Sequence, residues 1–191
     1  MVKMKNLFIL FLALASFSCA YSQNKVIKMP EQPTKGKNIA ERDNGFWCAT
    51  DAGGGSTLMA NRKNVAMIEA SFSGGYRFNQ YLKVGAGLGV LYYPNNDNVR
   101  NTNYHVAMPL FLNAHGNFLS EEIRRTVPFW SVNIGSTIPD GFFMTPSVGL
   151  RIGEKRSAFL VSVGYTLRHM KTYSENPKYY SGILVKLGYE F

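Results

Sequence analysis

The feature that most constrains this chain is an alternation with a period of two residues. In "YLKVGAGLGVLYY", residues 81–93, one face carries Leu82, Val84, Ala86, Leu88, Val90 and Tyr92, and the other Lys83, Gly85, Gly87 and Gly89. In "GFFMTPSVGLRI", residues 141–152, Phe142, Met144, Pro146, Val148, Leu150 and Ile152 oppose Thr145, Ser147, Gly149 and Arg151. Successive side chains of a strand point to opposite faces, so each stretch reads as a strand with one greasy side. The same alternation runs through "GFWCATDAGGG", "VAMIEASFSGGYRF", "YHVAMPLFLNAHGNF", "VPFWSVNIGS", "SAFLVSVGYTLRHM" and "YYSGILVKLGYEF", which makes eight predicted strands. Helix is disfavoured throughout, because glycines and β-branched residues crowd these segments.

The connections alternate as well. Strands two and three meet at "NQ", residues 79–80, and strands six and seven at "GEKR", residues 153–156. The longer polar "PNNDNVRNTN", residues 94–103, and "KTYSENPK", residues 171–178, follow strands three and seven. Short turns at one end and longer loops at the other are what an up-and-down transmembrane barrel shows. "LSEEIRRT" at 119–126 is long for the short-turn end, and "TIPD" at 137–140 is brief for the loop end. Pro109 and Pro146 fall inside strands, where a missing N–H suits a bulge or a strand edge.

The amino terminus predicts export. Lys3 and Lys5 precede an apolar run from Leu7 to Phe17, and small residues follow at Ala20 and Ser22. Residues 1–22 therefore read as a signal peptide cut between Ser22 and Gln23. The run is too short for a spanning helix, which needs roughly 20 residues. Ser18 before Cys19 would suit a lipidated first residue, whereas Ser16 and Phe17 fit a lipoprotein signal poorly. With Cys19 removed, Cys48 is expected to be unpaired. Residues 23–44 are polar, hold two prolines and keep no period, so they read as an extended periplasmic segment before a barrel over 45–191.

Which face meets water is decided by composition. The polar faces carry glycine, serine and a few charges, namely Asp51, Glu69, Lys83, Arg151, Arg168 and Lys186. That set is too sparse to coat a soluble protein, yet small side chains and opposite charges, such as Glu69 with Lys83, can fill a narrow lumen. The apolar faces finish in aromatics, Tyr76, Phe78, Tyr92, Phe118, Trp130, Phe142, Tyr189 and Phe191, as membrane interfaces favour. The inverse design, a soluble lipocalin-like barrel around a ligand, is the alternative. The formal net charge of +9, two of it from Lys3 and Lys5, points to an anionic lipid surface or acidic glycolipid and, in an exported chain, away from nucleic acid.

Over residues 45–191 the chain resembles the small outer-membrane β-barrels of Gram-negative bacteria, the OmpA-like and OmpX-like eight-stranded barrels. The likeness is carried by "GGYRFNQYLKVGAGLGV", "PFWSVNIG" with "TPSVGLRIG", "VSVGYTLR" and "LVKLGYEF". In that family a final strand ending in phenylalanine is the recognition signal for the barrel-assembly machinery. The resemblance implies that role for Lys186, Gly188, Tyr189 and Phe191, with Gly188 nearer the end than the usual spacing. A peptidoglycan-binding domain after the barrel is not expected, so that anchoring role is not carried over.

Chemistry is sparse. His105, His115 and His169 are too widely spaced for a local zinc motif. A lipid A-modifying site could be drawn from His105 with Asp97, or from His169 with Ser174, but sequence alone shows no hydrogen-bond reach between them. "DAGGGS" lacks the Lys-Ser/Thr of a phosphate loop, and "GEKRSAF" and "SEEIRRT" read as solvated turns. No cofactor or metal is expected. The expectation is an all-β, eight-stranded antiparallel up-and-down barrel, monomeric and non-catalytic, in the outer membrane against its lipid and lipopolysaccharide. It would support that membrane or bind an extracellular ligand through its loops, with a lipid A-modifying enzyme or a small transport pore as rivals.

Overall fold

A computed structural model describes residues 44–58, 65–94, 105–121, 125–154, 157–170 and 178–191. The segments expected to be signal peptide and periplasmic extension lie outside the described residues, as do Asp97 and Ser174. Eight strands follow in chain order: β1 (Gly45–Leu58), β2 (Ala66–Asn79), β3 (Leu82–Tyr92), β4 (Val106–Asn117), β5 (Thr126–Ile138), β6 (Gly141–Glu154), β7 (Ser157–Met170) and β8 (Lys178–Glu190). Each pairs antiparallel with its chain neighbours, and β8 pairs back onto β1 to close the barrel.

The seam joins Ala49 through Leu58 to Glu190 through Ser181. It is extended by a reciprocal pair of hydrogen bonds, Cys48 N–H to Phe191 O at 3.2 Å and Phe191 N–H to Cys48 O at 2.8 Å. The chain's last residue thus lies opposite Cys48, two positions beyond Phe46. Cys48 is disulfide-bonded, which corrects the expectation of an unpaired thiol; the sequence's other cysteine, Cys19, lies outside the described residues.

The period of two is expressed as an inside and an outside. Leu112 is 68% exposed, while its neighbours Phe111 and Asn113 are each 6% exposed. Val84, Ile134, Val148, Val163, Val185 and Leu187 likewise face outward from five other strands. Pro109 and Pro146 make neither a bulge nor a strand edge. Each sits within its strand, and the ladder is interrupted there on one side only, between the pairs Leu88–Leu110 and Leu91–Ala107 and between Met144–Leu167 and Ser147–Gly164. A proline has no N–H to donate, and a gap of this size accommodates that loss without changing the register. The one register shift in the β2–β3 pair falls between Arg77 and Asn79, where the chain turns.

The buried residues lie inside the ring. Toward the end of the barrel where β3 leads into β4, Val65, Met67, Leu91, Tyr93, Ala107 and Leu184 form an apolar cluster with Tyr180 packed against it. We predict that Leu184→Ala, which empties part of this cluster, lowers stability by about 2–5 kcal/mol, read as an earlier midpoint in urea unfolding from detergent micelles.

Candidate functional site

Closing eight strands leaves an interior that side chains just fill, so the lumen is where this barrel's polar chemistry can reside. All six charged residues of the polar faces sit on its wall; Asp51 lines a cavity there and the other five divide between two clusters. In the first, Glu69 accepts from Arg168 Nη2 and from Lys186 Nζ, the latter at 2.7 Å. Arg168 also donates through Nε to Thr166 Oγ1 at 3.0 Å and lies 4.7 Å over the Phe143 ring. In the second, Glu190 accepts from Lys83 Nζ and from Arg77 Nη2, the latter at 2.7 Å. His115 Nε2 is 3.4 Å and Arg151 Nη2 3.6 Å from the same carboxylate. Arg151 Nη1 also lies 3.3 Å from Glu121, to which Asn117 donates.

Glu69 and Lys83 therefore do not pair with each other. Lys83 is in register with Arg77, eight residues down β2 from Glu69, a separation of about 27 Å at the rise of a strand. Glu190 and Arg77, which hold the second cluster together, carry no local motif. Their signal was parity alone, since each falls on the small-residue face of its strand.

Between the clusters lies a cavity of about 30 Å³, room for about two water molecules. Asp51, Ser73, Asn113, Ser131, Ser147 and Lys186 are among the residues that line it. His115 Nδ1 donates to Asn113 Oδ1 at 2.6 Å, and Asn113 Nδ2 donates to Ser131 Oγ at 3.1 Å and Asn133 Oδ1 at 2.6 Å, so a polar chain continues across β4 and β5.

The lumen also holds large rings that the small-residue reading missed: Trp47, Tyr93, Phe111, Phe129 and Phe143 are all buried. The signal was present as aromatic doublets. In "FW" at 46–47, "YY" at 92–93, "FW" at 129–130 and "FF" at 142–143 a strand must send one ring to each face. The structure does so, with Phe46 84% and Trp47 2% exposed. Glycines opposite make the space. A Cβ on Gly85 would lie 2.9 Å from Trp47 Cζ2, and one on Gly149 2.8 Å from Phe129 Cε1. Trp47 then packs edge-on against His115, with centroids 4.4 Å apart.

The four residues of the terminal motif separate by face. Tyr189 and Phe191 point outward in an aromatic row with Phe159, at centroid distances of 4.9 and 5.1 Å. Phe46, Tyr76 and Phe78 continue the row beyond the seam at 5.8 and 5.2 Å. Lys186 and Gly188 point inward. A Cβ on Gly188 would overlap the carboxylate of Asp51, its register partner on β1. A glycine at 188 leaves the space that the Asp51 carboxylate fills.

The three histidines are kept apart. His115 is in the second cluster, His105 Nδ1 contacts Tyr93 O at 3.2 Å, and His169 Nδ1 donates to Asp140 O at 2.6 Å. Among the described residues no group of three His, Cys, Asp or Glu could hold a metal ion.

No protein-family model and no curated protein matches the chain. Among solved structures the barrel is similar to the crystal structure of Neisserial surface protein A, NspA, with a TM-score of 0.59 at 12% identity, over 77% of this chain and 97% of that one. The chain has the fold of a small outer-membrane β-barrel. The solid-state NMR structure of outer membrane protein AlkL in DMPC lipid bilayers is also similar, with a TM-score of 0.41 at 16% identity over 85% of this chain and 96% of that one.

The close approach at the seam is testable. Gly188→Ala should cost about 1–3 kcal/mol by crowding Asp51. Gly54→Ala, on the outer face, where a Cβ would lie an ordinary 3.7 Å from Met67 O, should stay within about 0.5 kcal/mol of the parent. Urea midpoints of the two variants in one detergent give the comparison.

Proposed function

We propose that this chain is an integral outer-membrane barrel that works without catalysis, supporting the membrane or binding a partner at the cell surface through its loops. One observation carries the reading: the barrel is apolar outside and ion-paired inside. Leu112, Val148, Phe159 and Leu187 stand exposed on four different strands, whereas Glu69, Lys83, Arg168 and Glu190 are buried. A water-soluble barrel would invert this arrangement. In lipid the arrangement is the stable one, because the closed ladder pairs the backbone groups that hydrocarbon cannot solvate. The aromatic row Phe46, Tyr76, Phe78, Phe159, Tyr189 and Phe191 lies at one rim, where an interface would hold it.

Its partners in this reading are outer-membrane lipid and lipopolysaccharide, with the barrel-assembly machinery engaging the terminal strand during biogenesis and residues 1–22 directing export. The protein acts as a monomer, with both termini periplasmic. The lipid A-modifying pairs would need Asp97 and Ser174, which lie outside the described residues, while His105 and His169 are engaged with the backbone oxygens of Tyr93 and Asp140. Conduction is disfavoured by the contents of the lumen, where two ion clusters, an apolar cluster that includes Tyr93 and four further buried rings occupy the bore. Purified protein in a planar bilayer should therefore show no steady nanosiemens-scale conductance; such a conductance would make the transport-pore reading the better one.

Leu112→Arg tests the environment of the outer face. In a bilayer a cation at the mid-height of a strand should destabilise the barrel by about 2–4 kcal/mol, whereas at a water-exposed site it should cost almost nothing. The parent should fractionate with the outer membrane, need detergent for extraction, and run faster on a gel unheated than boiled. Folding in buffer without detergent would defeat the membrane reading.

A further inference from the structure

Glu190 is the next-to-last residue of the chain, where strands ordinarily fray, yet it is 0% exposed. Its carboxylate does not serve its ladder neighbours. It meets Arg77 on β2, Lys83 on β3, His115 on β4 and Arg151 on β6, so the closing strand is tied to the opposite wall across the lumen. Arg77 and Lys83 are themselves register partners on β2 and β3. Like charges placed directly opposite one another on adjacent strands repel, and the repulsion is stronger in a poorly solvated lumen than in water. Both cations bond to the same carboxylate oxygen, Glu190 Oε1.

We infer that Glu190 is an electrostatic latch for barrel closure. The β2–β3 hairpin carries an inward pair of like charges, and β8 brings the carboxylate that relieves it when it pairs with β1. Opening the seam withdraws that carboxylate and restores the repulsion, so closure and hairpin stability are coupled. The inference rests on the lumen alone and holds whatever solvent surrounds the barrel, so its failure would leave the membrane reading untouched.

The test is a double-mutant cycle on the full chain, refolded from urea into detergent micelles, with the heat-modifiable gel band reporting closure. Glu190→Gln should slow appearance of the closed band by about tenfold or more, because it removes an interaction formed on closure. Lys83→Met should weaken the parent, where it removes a partner of Glu190. In the Glu190→Gln background the same substitution should speed closure, because there it removes one of the two facing like charges whose shared carboxylate is gone. That reversal of sign distinguishes a latch from general packing. If Glu190→Gln does not close at all, recovery of the closed band in the Lys83→Met/Glu190→Gln double variant still supports the latch. Closure of Glu190→Gln at the parent rate, or a double variant no better than Glu190→Gln, would overturn it.

Discussion

An eight-stranded ring has an interior only as wide as the side chains that must fill it, and most of this molecule follows from filling that space. Nothing inward can be chosen in isolation. Trp47 fits because Gly85 has no Cβ, Phe129 because of Gly149, and Asp51 because of Gly188. These three glycines, of a kind that weakens an isolated strand, are here the counterparts of two rings and a charge on other strands. The barrel is held together by this matching of small against large as much as by its ladder.

The same space governs charge. Removing an ion from water costs several kcal/mol unless its partners are well placed, and the two carboxylates at the centres of the clusters each gather more than one cation. Glu69 takes Arg168 and Lys186, and Glu190 takes Arg77 and Lys83 with Arg151 nearby. Such clusters also bear on register. A one-residue slip of β8 would turn Lys186 and Glu190 outward and Leu187 and Tyr189 inward, leaving cations unmatched in the lumen. Apolar contacts on the outer face would tolerate that slip far better than the ion clusters could.

Much of this was legible in the sequence because a period of two is a strong local signal. The eight strands, their antiparallel order, and the outward rows from Leu82 to Tyr92 and from Phe142 to Ile152 all follow from it. Pairing across the lumen was not legible. Glu69 and Lys83 are a plausible couple by sign, but partners inside a barrel are fixed by stagger and strand height, and these two lie at different heights. Periodicity places Tyr92, Trp130 and Phe142 outward, but reading the polar faces as small residues and charges misses their doublet partners Tyr93, Phe129 and Phe143 as lumen contents. The prolines misled for a related reason: a missing donor predicts a local defect, whereas the closed ring absorbs it as a short gap in one ladder.

The last ten residues show how completely the two faces divide the work. Ile183, Val185 and Leu187 form an exposed outward row that continues to Tyr189 and Phe191, while Leu184, Lys186, Gly188 and Glu190 are committed to the apolar cluster, Glu69, Asp51 and the second ion cluster in turn. In the closed barrel the inward set is occupied, and only the outward row is open to another molecule. A partner that reads Lys186 and Gly188 together with Tyr189 and Phe191 must therefore meet the strand before it pairs with β1. A partner that acts on the finished barrel can use only the apolar and aromatic row. On the proposed reading, recognition of this strand during assembly and its role in the lumen would be successive uses of the same residues, separated by closure of the seam.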